Sequence, residues 1–140
     1  MKSTKTQLDP NKNISKASVR LPRQVKNTLD DFQHRVLERF PNQINRIILY
    51  GSYASGRAAV DSDIDVLVVV KWEDTSQPGE YYIGKPGDPI WREIVNAAAD
   101  SMVLYGSYIS PVVIGEKLFN SSFAIAQSAK TEGKVLWMSP

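Results

Sequence analysis

The stretch that most constrains the fold of this chain is residues 61–70, where three carboxylates precede an uninterrupted aliphatic run. Every residue from Val66 to Val70 is a valine or a leucine, a composition typical of a strand that is buried on both faces. Such a strand lies inside a sheet, with helices over each face. The sequence therefore predicts a layered α/β domain in which residues 60–70 form a central strand.

Helix and strand patterns on either side of this run predict the rest of a small domain. Apolar residues recur every three or four positions from Leu21 to Phe40, as on one face of an amphipathic helix. Pro111 interrupts a later apolar run, which is typical of an edge strand or of a bulged position. The predicted order is helix 21–41, strand 46–50, strand 60–70, helix 89–105, strand 108–114, helix 121–132 and strand 134–138. We classify the fold as α/β (α+β), a small mixed β-sheet packed by helices.

A basic start distinguishes the first residues from the rest of the chain. Residues 1–26 carry seven Lys or Arg against one Asp, although the net charge of all 140 residues is only +2. Few large apolar residues accompany these charges, which is typical of a solvated extension. We predict a flexible basic tail over residues 1–19 and one domain over residues 20–140, a length that suits a single core. An arm that contacts nucleic acid is the alternative for this tail.

Composition excludes several classes of protein. There is no cysteine, so disulfide frameworks and thiolate metal sites are excluded. No apolar stretch approaches the roughly 20 residues of a membrane span, and the start of the chain carries no apolar leader. We expect a cytoplasmic protein that makes no contact with a membrane.

Asp63 and Asp65 stand at the start of the predicted central strand. Because side chains alternate along a strand, these two acids are expected to point to the same side. Neighbouring carboxylates repel each other unless a cation lies over them, and Mg²⁺ or Mn²⁺ suits carboxylates combined with phosphate oxygens. The pair is therefore a candidate metal site. A solvated acidic turn, held by Asp61 or Ser62, is the alternative.

The pair Gly51 and Ser52 directly follows the preceding strand. A glycine here lets the backbone approach a ligand closely, and a serine that opens a helical turn leaves its hydroxyl and nearby N–H groups free to hold phosphate oxygens. Ten residues separate Ser52 from Asp63, which places a phosphate cradle and a metal site on adjacent strands. The combined arrangement predicts a nucleotide site.

The stretch LYGSYASGRAAVDSDIDVLVV resembles the signature of the DNA polymerase β-like nucleotidyltransferases, in particular the small stand-alone members called minimal nucleotidyltransferases. The resemblance covers about residues 21–138 and implies a polymerase β-like fold. It implies that a hydroxyl attacks the α-phosphate of ATP or another nucleoside triphosphate with divalent metal help. It further implies that Gly51 and Ser52 hold the β- and γ-phosphates and that Asp63 and Asp65 ligate the metal.

Two further positions near this signature bear on phosphate binding. Arg57 adds positive charge near the triphosphate in one interpretation and is a solvated side chain in the other. Tyr53 stands where members of the family often have a basic residue, which leaves a phosphate contact at that position open.

A third carboxylate, which active relatives commonly add from a later strand, is missing from the matching strand of this chain. That strand reads YISPVVI, and we assign the matching position to Ser110, which is no acid. Asp61 and Glu116 are the candidates to substitute for it. The single histidine, His34, lies within the first helix and is predicted to be a surface residue.

Two functions remain open at this stage. The first is metal-dependent transfer of a nucleoside monophosphate from a triphosphate to a hydroxyl acceptor, carried on a partner protein. The second is a catalytically weak binding module, because minimal nucleotidyltransferases resemble the antitoxin half of toxin–antitoxin pairs whose partner is a HEPN-type RNase. The Gly- and Pro-rich connection at 73–89 is of a length that is often functional.

Overall fold

The computed structural model describes residues 20–71 and 82–140, together with the backbone of residues 15 and 16. The helices are α1 (Arg23–Arg39), α2 (Gly51–Ser55), α3 (Pro89–Tyr105), α4 (Glu116–Phe119) and α5 (Ala124–Glu132). The strands are β1 (Ser15–Lys16), β2 (Ile44–Tyr50), β3 (Ile64–Val70), β4 (Ile109–Gly115) and β5 (Lys134–Met138).

The described strands form one mixed sheet in the order β1-β5-β2-β3-β4. β3 is antiparallel to β2 and parallel to β4, while β5 is antiparallel to β2 and parallel to β1. The predicted central strand therefore lies inside the sheet, and the strand that contains Pro111 lies at its edge. Both observations confirm the predicted fold class.

Helices cover both faces of the sheet because β3 is apolar on both. One apolar cluster joins α1 and α3 to the face of β3 that carries Ile64, Val66 and Val68. The other joins α4 and α5 to the face that carries Leu67 and Val69. All of these side chains are buried, and burying one such side chain contributes about 1.5–3 kcal/mol. Both layers of the core are therefore built on β3.

A buried polar contact joins α1 to α3, whose exposed side is also linked by ion pairs of Arg39 with Glu93 and Asp100. Ser101 is fully buried and donates a hydrogen bond from Oγ to Oδ2 of Asp31 over 2.7 Å. Arg35 donates to the same oxygen from Nε over 2.6 Å. Burial raises the pKa of Asp31, but the hydrogen bonds from Arg35 and Ser101 outweigh burial and leave that pKa below its ordinary value. The charge of Asp31 is thus compensated within the fold.

The structure corrects one strand boundary that bears on the site. The strand predicted to begin at Val60 begins at Ile64, and Asp63 lies between this strand and the turn that precedes it. The N–H of Ser62 donates to the carbonyl of Ala59, and the N–H of Ala59 donates to Oγ of Ser62. These two hydrogen bonds close a turn and prevent extended pairing from starting earlier.

The irregular connection predicted at 73–89 falls partly outside the described residues and is described from Tyr82 onwards. The N–H of Gly84 donates to the carbonyl of Val113, and the N–H of Gly115 donates to the carbonyl of Tyr82. This part of the connection therefore lies along the outer edge of β4.

Three further points complete the comparison with the predicted elements. Of the predicted tail at 1–19, the structure describes the two residues of β1 and the backbone pairing they make with β5, so the boundary of the tail stays a prediction. The single-turn helix α4 was not predicted. Within the described ranges, no helix combines the length and the apolar character that crossing a bilayer requires.

Candidate active site

Three neighbouring strands bring Tyr50, Asp65 and Ser110 into one row. Asp65 is paired with Tyr50 across the antiparallel β2–β3 ladder and with Ser110 across the parallel β3–β4 ladder. Side chains of residues paired in this way project to the same face of a sheet. Further along β3, α4 and α5 cover this same face of the sheet, because Tyr50 packs against the apolar cluster that contains Leu67. The register agrees with the placement of Ser110 beside Asp65 inferred from the sequence.

Gly51 packs directly against the carboxylate of Asp65. Its φ of +74° lies in the left-handed region that favours glycine. A Cβ at this position would overlap Oδ2 of Asp65. From the sequence, this glycine was explained by the close approach of a ligand. The structure adds a second reason, because the carboxylate of Asp65 already occupies the space that a Cβ would need.

Ser52 lies in the first turn of α2, directly after the end of β2. Its side chain is half-buried, and the first N–H groups of any helix lack partners within that helix. α2 ends after a single turn at Gly56, whose φ of +79° closes it in the left-handed region. The Gly-Ser pair and Asp65 are therefore brought together, as expected for motifs on adjacent strands.

The two acids of the motif repel each other. Asp63 is exposed and Asp65 is half-buried. Burial raises the pKa of Asp65, and the negative charge of Asp63 raises that pKa further. Burial, together with the charge of Asp65, raises the pKa of Tyr50 to about 12. A cation over the two carboxylates would relieve this repulsion.

The donors at this place fit a hard divalent cation. Two carboxylates supply oxygen ligands, and Mg²⁺ typically keeps several waters and takes further ligands from substrate phosphates. Across residues 20–71 and 82–140, no group of three or more His, Cys, Asp or Glu side chains is placed to hold a metal ion. Asp63 and Asp65 would therefore hold the cation as a pair, with the neutral hydroxyl of Ser110 beside them.

Arg57 and Tyr53 lie in surroundings that differ from each other. Arg57 is exposed, and its guanidinium lies 3.9 Å from Oε1 of Glu132 on α5. Tyr53 is buried in the core on the side of α1 and α3. The side chain of Tyr53 thus has a packing role. A contact between Arg57 and phosphate stays a prediction.

The acids considered as substitutes for a third ligand do not join the row. Glu116 follows the far end of β4, where Asn45 donates a hydrogen bond to it over 3.2 Å. Glu116 is thus separated from Ser110 by almost the whole strand, roughly 20 Å at the rise of a β-strand, so it is excluded from this site. Asp61 is exposed and lines a cavity at the ends of α1 and α3. His34 is 77% exposed, which confirms that it is a surface residue.

Tyr50 is the neighbour of the acids that the sequence analysis did not single out. Its position directly before Gly51 was visible in the sequence. That it shares a face with Asp65 follows only from the register between β2 and β3. The register between β2 and β3 could not be derived from the sequence.

A mixed sheet in which Gly-Ser opens a short helix after one strand, while Asp-x-Asp begins the next, is the arrangement expected of a nucleotidyltransferase. Residues 29–89 match the family described as Nucleotidyltransferase domain. The resemblance predicted from the sequence is confirmed, because residues 29–89 are similar to this family.

Two relatives from Methanocaldococcus jannaschii have similar sequences. The relative named "Putative protein adenylyltransferase MJ0604" is 27% identical over 111 residues, which cover 78% of this chain and 94% of the relative. A second, MJ1305, bears the same description and is 41% identical over 90 residues. That match covers 64% of this chain and 54% of the relative, so the chain spans about half of MJ1305. These relatives support a transferase role.

Two solved structures share the fold. A chain in the crystal structure of a toxin–antitoxin with AMP-PNP matches with a TM-score of 0.50 at 24% identity, covering 79% of this chain and 73% of that chain. A chain in the crystal structure of a mutant toxin–antitoxin MntA-HpeT matches with a TM-score of 0.50 at 21% identity, covering 84% and 75%. At these identities the likeness concerns the fold alone.

Proposed function

We propose that this protein transfers a nucleoside monophosphate from ATP to a hydroxyl group on a partner protein, with the help of a divalent cation held by Asp63 and Asp65. The observation that carries the proposal is the packing of Gly51 against the carboxylate of Asp65. This contact brings Gly51, at the proposed phosphate site, next to Asp65, a proposed ligand of the cation. The relatives named as protein adenylyltransferases support the choice of ATP and of a protein acceptor.

The residues of the chain divide the work of the reaction. Ser52 and the first turn of α2 hold the β- and γ-phosphates, and Gly51 keeps the backbone close to them. Asp63 and Asp65 would hold the divalent cation. That cation, Mg²⁺ or Mn²⁺, supplies neutralisation of the charge on the phosphates. The acceptor oxygen bonds to the α-phosphorus, pyrophosphate leaves, and the hydroxyl proton passes to water.

Calorimetry with a non-hydrolysable ATP analogue, with and without Mg²⁺, tests the site. We expect Asp63→Ala and Asp65→Ala to abolish metal-dependent binding, because each removes an anionic oxygen ligand. Ser52→Ala should weaken binding of the triphosphate without unfolding the protein. Asp30→Ala is a suitable control, since Asp30 makes an exposed ion pair on α1. Nucleotide affinity that is equal in the parent and all three site variants would contradict the proposal.

A second function is favoured by one specific observation, the neutral Ser110 beside Asp65. A site with two carboxylates would catalyse transfer slowly, and the domain could then act by binding alone, as an antitoxin to a HEPN-type RNase. The two solved toxin–antitoxin structures that share the fold support this alternative. Neutralisation of such an RNase by the Asp63→Ala, Asp65→Ala double variant would favour binding, while loss of neutralisation would favour transfer.

A further inference from the structure

The structure contains a cavity of about 600 Å³ next to the loop that precedes Asp63. It lies between the start of α1, the chain that follows α3 and the loop that joins α2 to β3. Gly106, at the end of α3, lies against Gln24 of α1, and a Cβ on this glycine would approach Nε2 of Gln24 to 2.6 Å. The two helix ends are thus in direct contact at the cavity.

Both sides of this cavity lead directly into the strands of the candidate active site. On one side, Asp61 and Ser62 line the cavity and are followed at once by Asp63. On the other side, Tyr108 lines it, and the carbonyl of Tyr108 accepts a hydrogen bond from the N–H of Ile64 over 2.9 Å. A molecule in the cavity therefore lies against Asp61 and Ser62, which directly precede Asp63 in the chain, and against Tyr108, two residues before Ser110.

The lining indicates which class of acceptor would fit. Arg20 and Asp61 are the charged residues among the described residues of the lining, and their charges cancel. A nucleic acid needs an excess of cations to bind its phosphates, so this lining does not favour it. Pro22 provides exposed apolar surface, Val25 and Tyr53 are buried apolar side chains of the lining, and the amide of Gln24 provides hydrogen-bonding groups. This mixture suits an uncharged stretch of peptide, whose backbone is polar and whose side chains are partly apolar.

Apolar side chains around the cavity favour a protein over a small molecule. Val60 and Tyr108, both in the lining, are 104% and 54% exposed. Val103 and Leu104, in the last turn of α3 before Gly106, are 80% and 60% exposed. A cavity of this volume suits a ligand of drug size, about 300–1,000 Å³, and a small acceptor would leave these side chains uncovered. A protein could fill the cavity with a short segment and cover its surroundings as well.

We propose that this cavity, together with Val60 and Tyr108, is the acceptor-docking groove: it binds an extended, uncharged segment of the acceptor protein and presents a Ser, Thr or Tyr hydroxyl to the nucleotide held at Asp63 and Asp65. The inference rests on the proposed function. It adds to it the place where the acceptor binds and the chemical character of the bound segment. The nucleotide itself binds outside this groove.

The absence of cysteine from the chain allows a direct test. Val60→Cys places a unique thiol at the exposed rim of the groove, where a disulfide-linked benzyl group is expected to obstruct entry. Ser122→Cys, on the exposed turn before α5, carries the same group as a matched control. The probes are random peptides with a single Ser, Thr or Tyr, selected on the parent chain in the presence of Mg²⁺ and a non-hydrolysable ATP analogue.

Two affinities are measured for each protein, one for the selected peptides and one for the ATP analogue with Mg²⁺. We expect the benzyl group at position 60 to weaken peptide binding by about tenfold or more, which is about 1.4 kcal/mol, and to leave binding of the analogue unchanged. Reduction of the disulfide should restore peptide binding. The group at position 122 should change neither affinity.

The possible failures are distinguishable. If the parent does not bind the ATP analogue with Mg²⁺, the proposed function itself fails. If the analogue binds, the proposed acceptor-docking groove is refuted when no peptide is selected or when the benzyl group at position 60 does not change peptide binding. It is also refuted when that group displaces a single-stranded RNA but not the peptides.

Discussion

Asp31 and Asp65 are both partly buried carboxylates, but the nearest charge is positive for Asp31 and negative for Asp65. Asp31 receives hydrogen bonds from Arg35 and Ser101, which outweigh the effect of burial and lower its pKa. Asp65 lies beside Asp63, and burial and that second negative charge both raise its pKa. A carboxylate whose charge is compensated by the fold holds helices together. A carboxylate whose charge is opposed by its neighbour is prepared for a cation from outside.

The largest expected effect comes from Gly51→Ala, which forces a Cβ into the space of the Asp65 carboxylate and strains a backbone with positive φ. We expect the free energy of unfolding to fall by about 2–4 kcal/mol, measured by urea denaturation. Gly87→Ala is the matched control, because Gly87 also has a positive φ but nothing within 4 Å of its Cβ position. That control should cost about 1 kcal/mol. Adding Asp65→Ala to Gly51→Ala should recover part of the loss, and no recovery would show that the clash is elsewhere.

The next largest effect tests the compensated acid. Asp31→Ala leaves the buried hydroxyl of Ser101 without its acceptor, so we expect the free energy of unfolding to fall by about 2 kcal/mol. Asp30→Ala, the adjacent position on the same helix, removes an exposed pair with Lys26 and should change stability by less than about 0.5 kcal/mol. Equal losses from the two variants would show that the contact between α1 and α3 is not structural.

A smaller effect is expected from Ser110→Asp, which adds a third carboxylate to the candidate site beside Asp63 and Asp65. In calorimetry, affinity for Mn²⁺ with the ATP analogue should rise by about tenfold, since the bound cation gains an anionic ligand. Transfer of labelled nucleotide should also become faster, because the parent is expected to transfer slowly unless a partner completes the site. Ser110→Asn is the neutral control. Brisk transfer by the parent alone, unchanged by Ser110→Asp, is the result that defeats this prediction.

The smallest expected effect concerns stability against pH without metal. Asp65 has a raised pKa in the folded protein, so its contribution to stability is present below its ordinary value of 3.8 and is lost as pH rises through the raised value. Asp31 has a lowered pKa, so its contribution is present above its ordinary value and is lost as pH falls through the lowered one. Asp65→Asn should therefore be as stable as the parent at about pH 7, or more stable by under about 1 kcal/mol. Denaturation curves at several pH values check this, and a clear loss at neutral pH would refute it.

Local signals in the sequence were sufficient for the central strand and for the motif. The aliphatic run of β3 predicted its place inside the sheet, because a strand buried on both faces is apolar throughout. The proline in β4 predicted an edge or bulged position, because proline has no N–H to donate to a neighbouring strand. The start of β3 was predicted four residues too early, although a turn held by Ser62 was the stated alternative, because the hydrogen bonds between Ser62 and Ala59 end the turn only just before Ile64. The contact between Gly51 and Asp65 depends on how two strands pair, which no single segment encodes.

The pairing of Tyr82 and Gly84 with β4 limits how this protein can assemble with others. Edge strands of sheets readily add a strand from another chain, which is a route to both complexes and aggregates. Here the connection before α3 already uses backbone groups of Val113 and Gly115, and Pro111 has no N–H to offer. Sheet extension is thereby blocked along the second half of this edge. A partner that approaches there must be recognised through side chains, so its specificity can change without any change in the sheet.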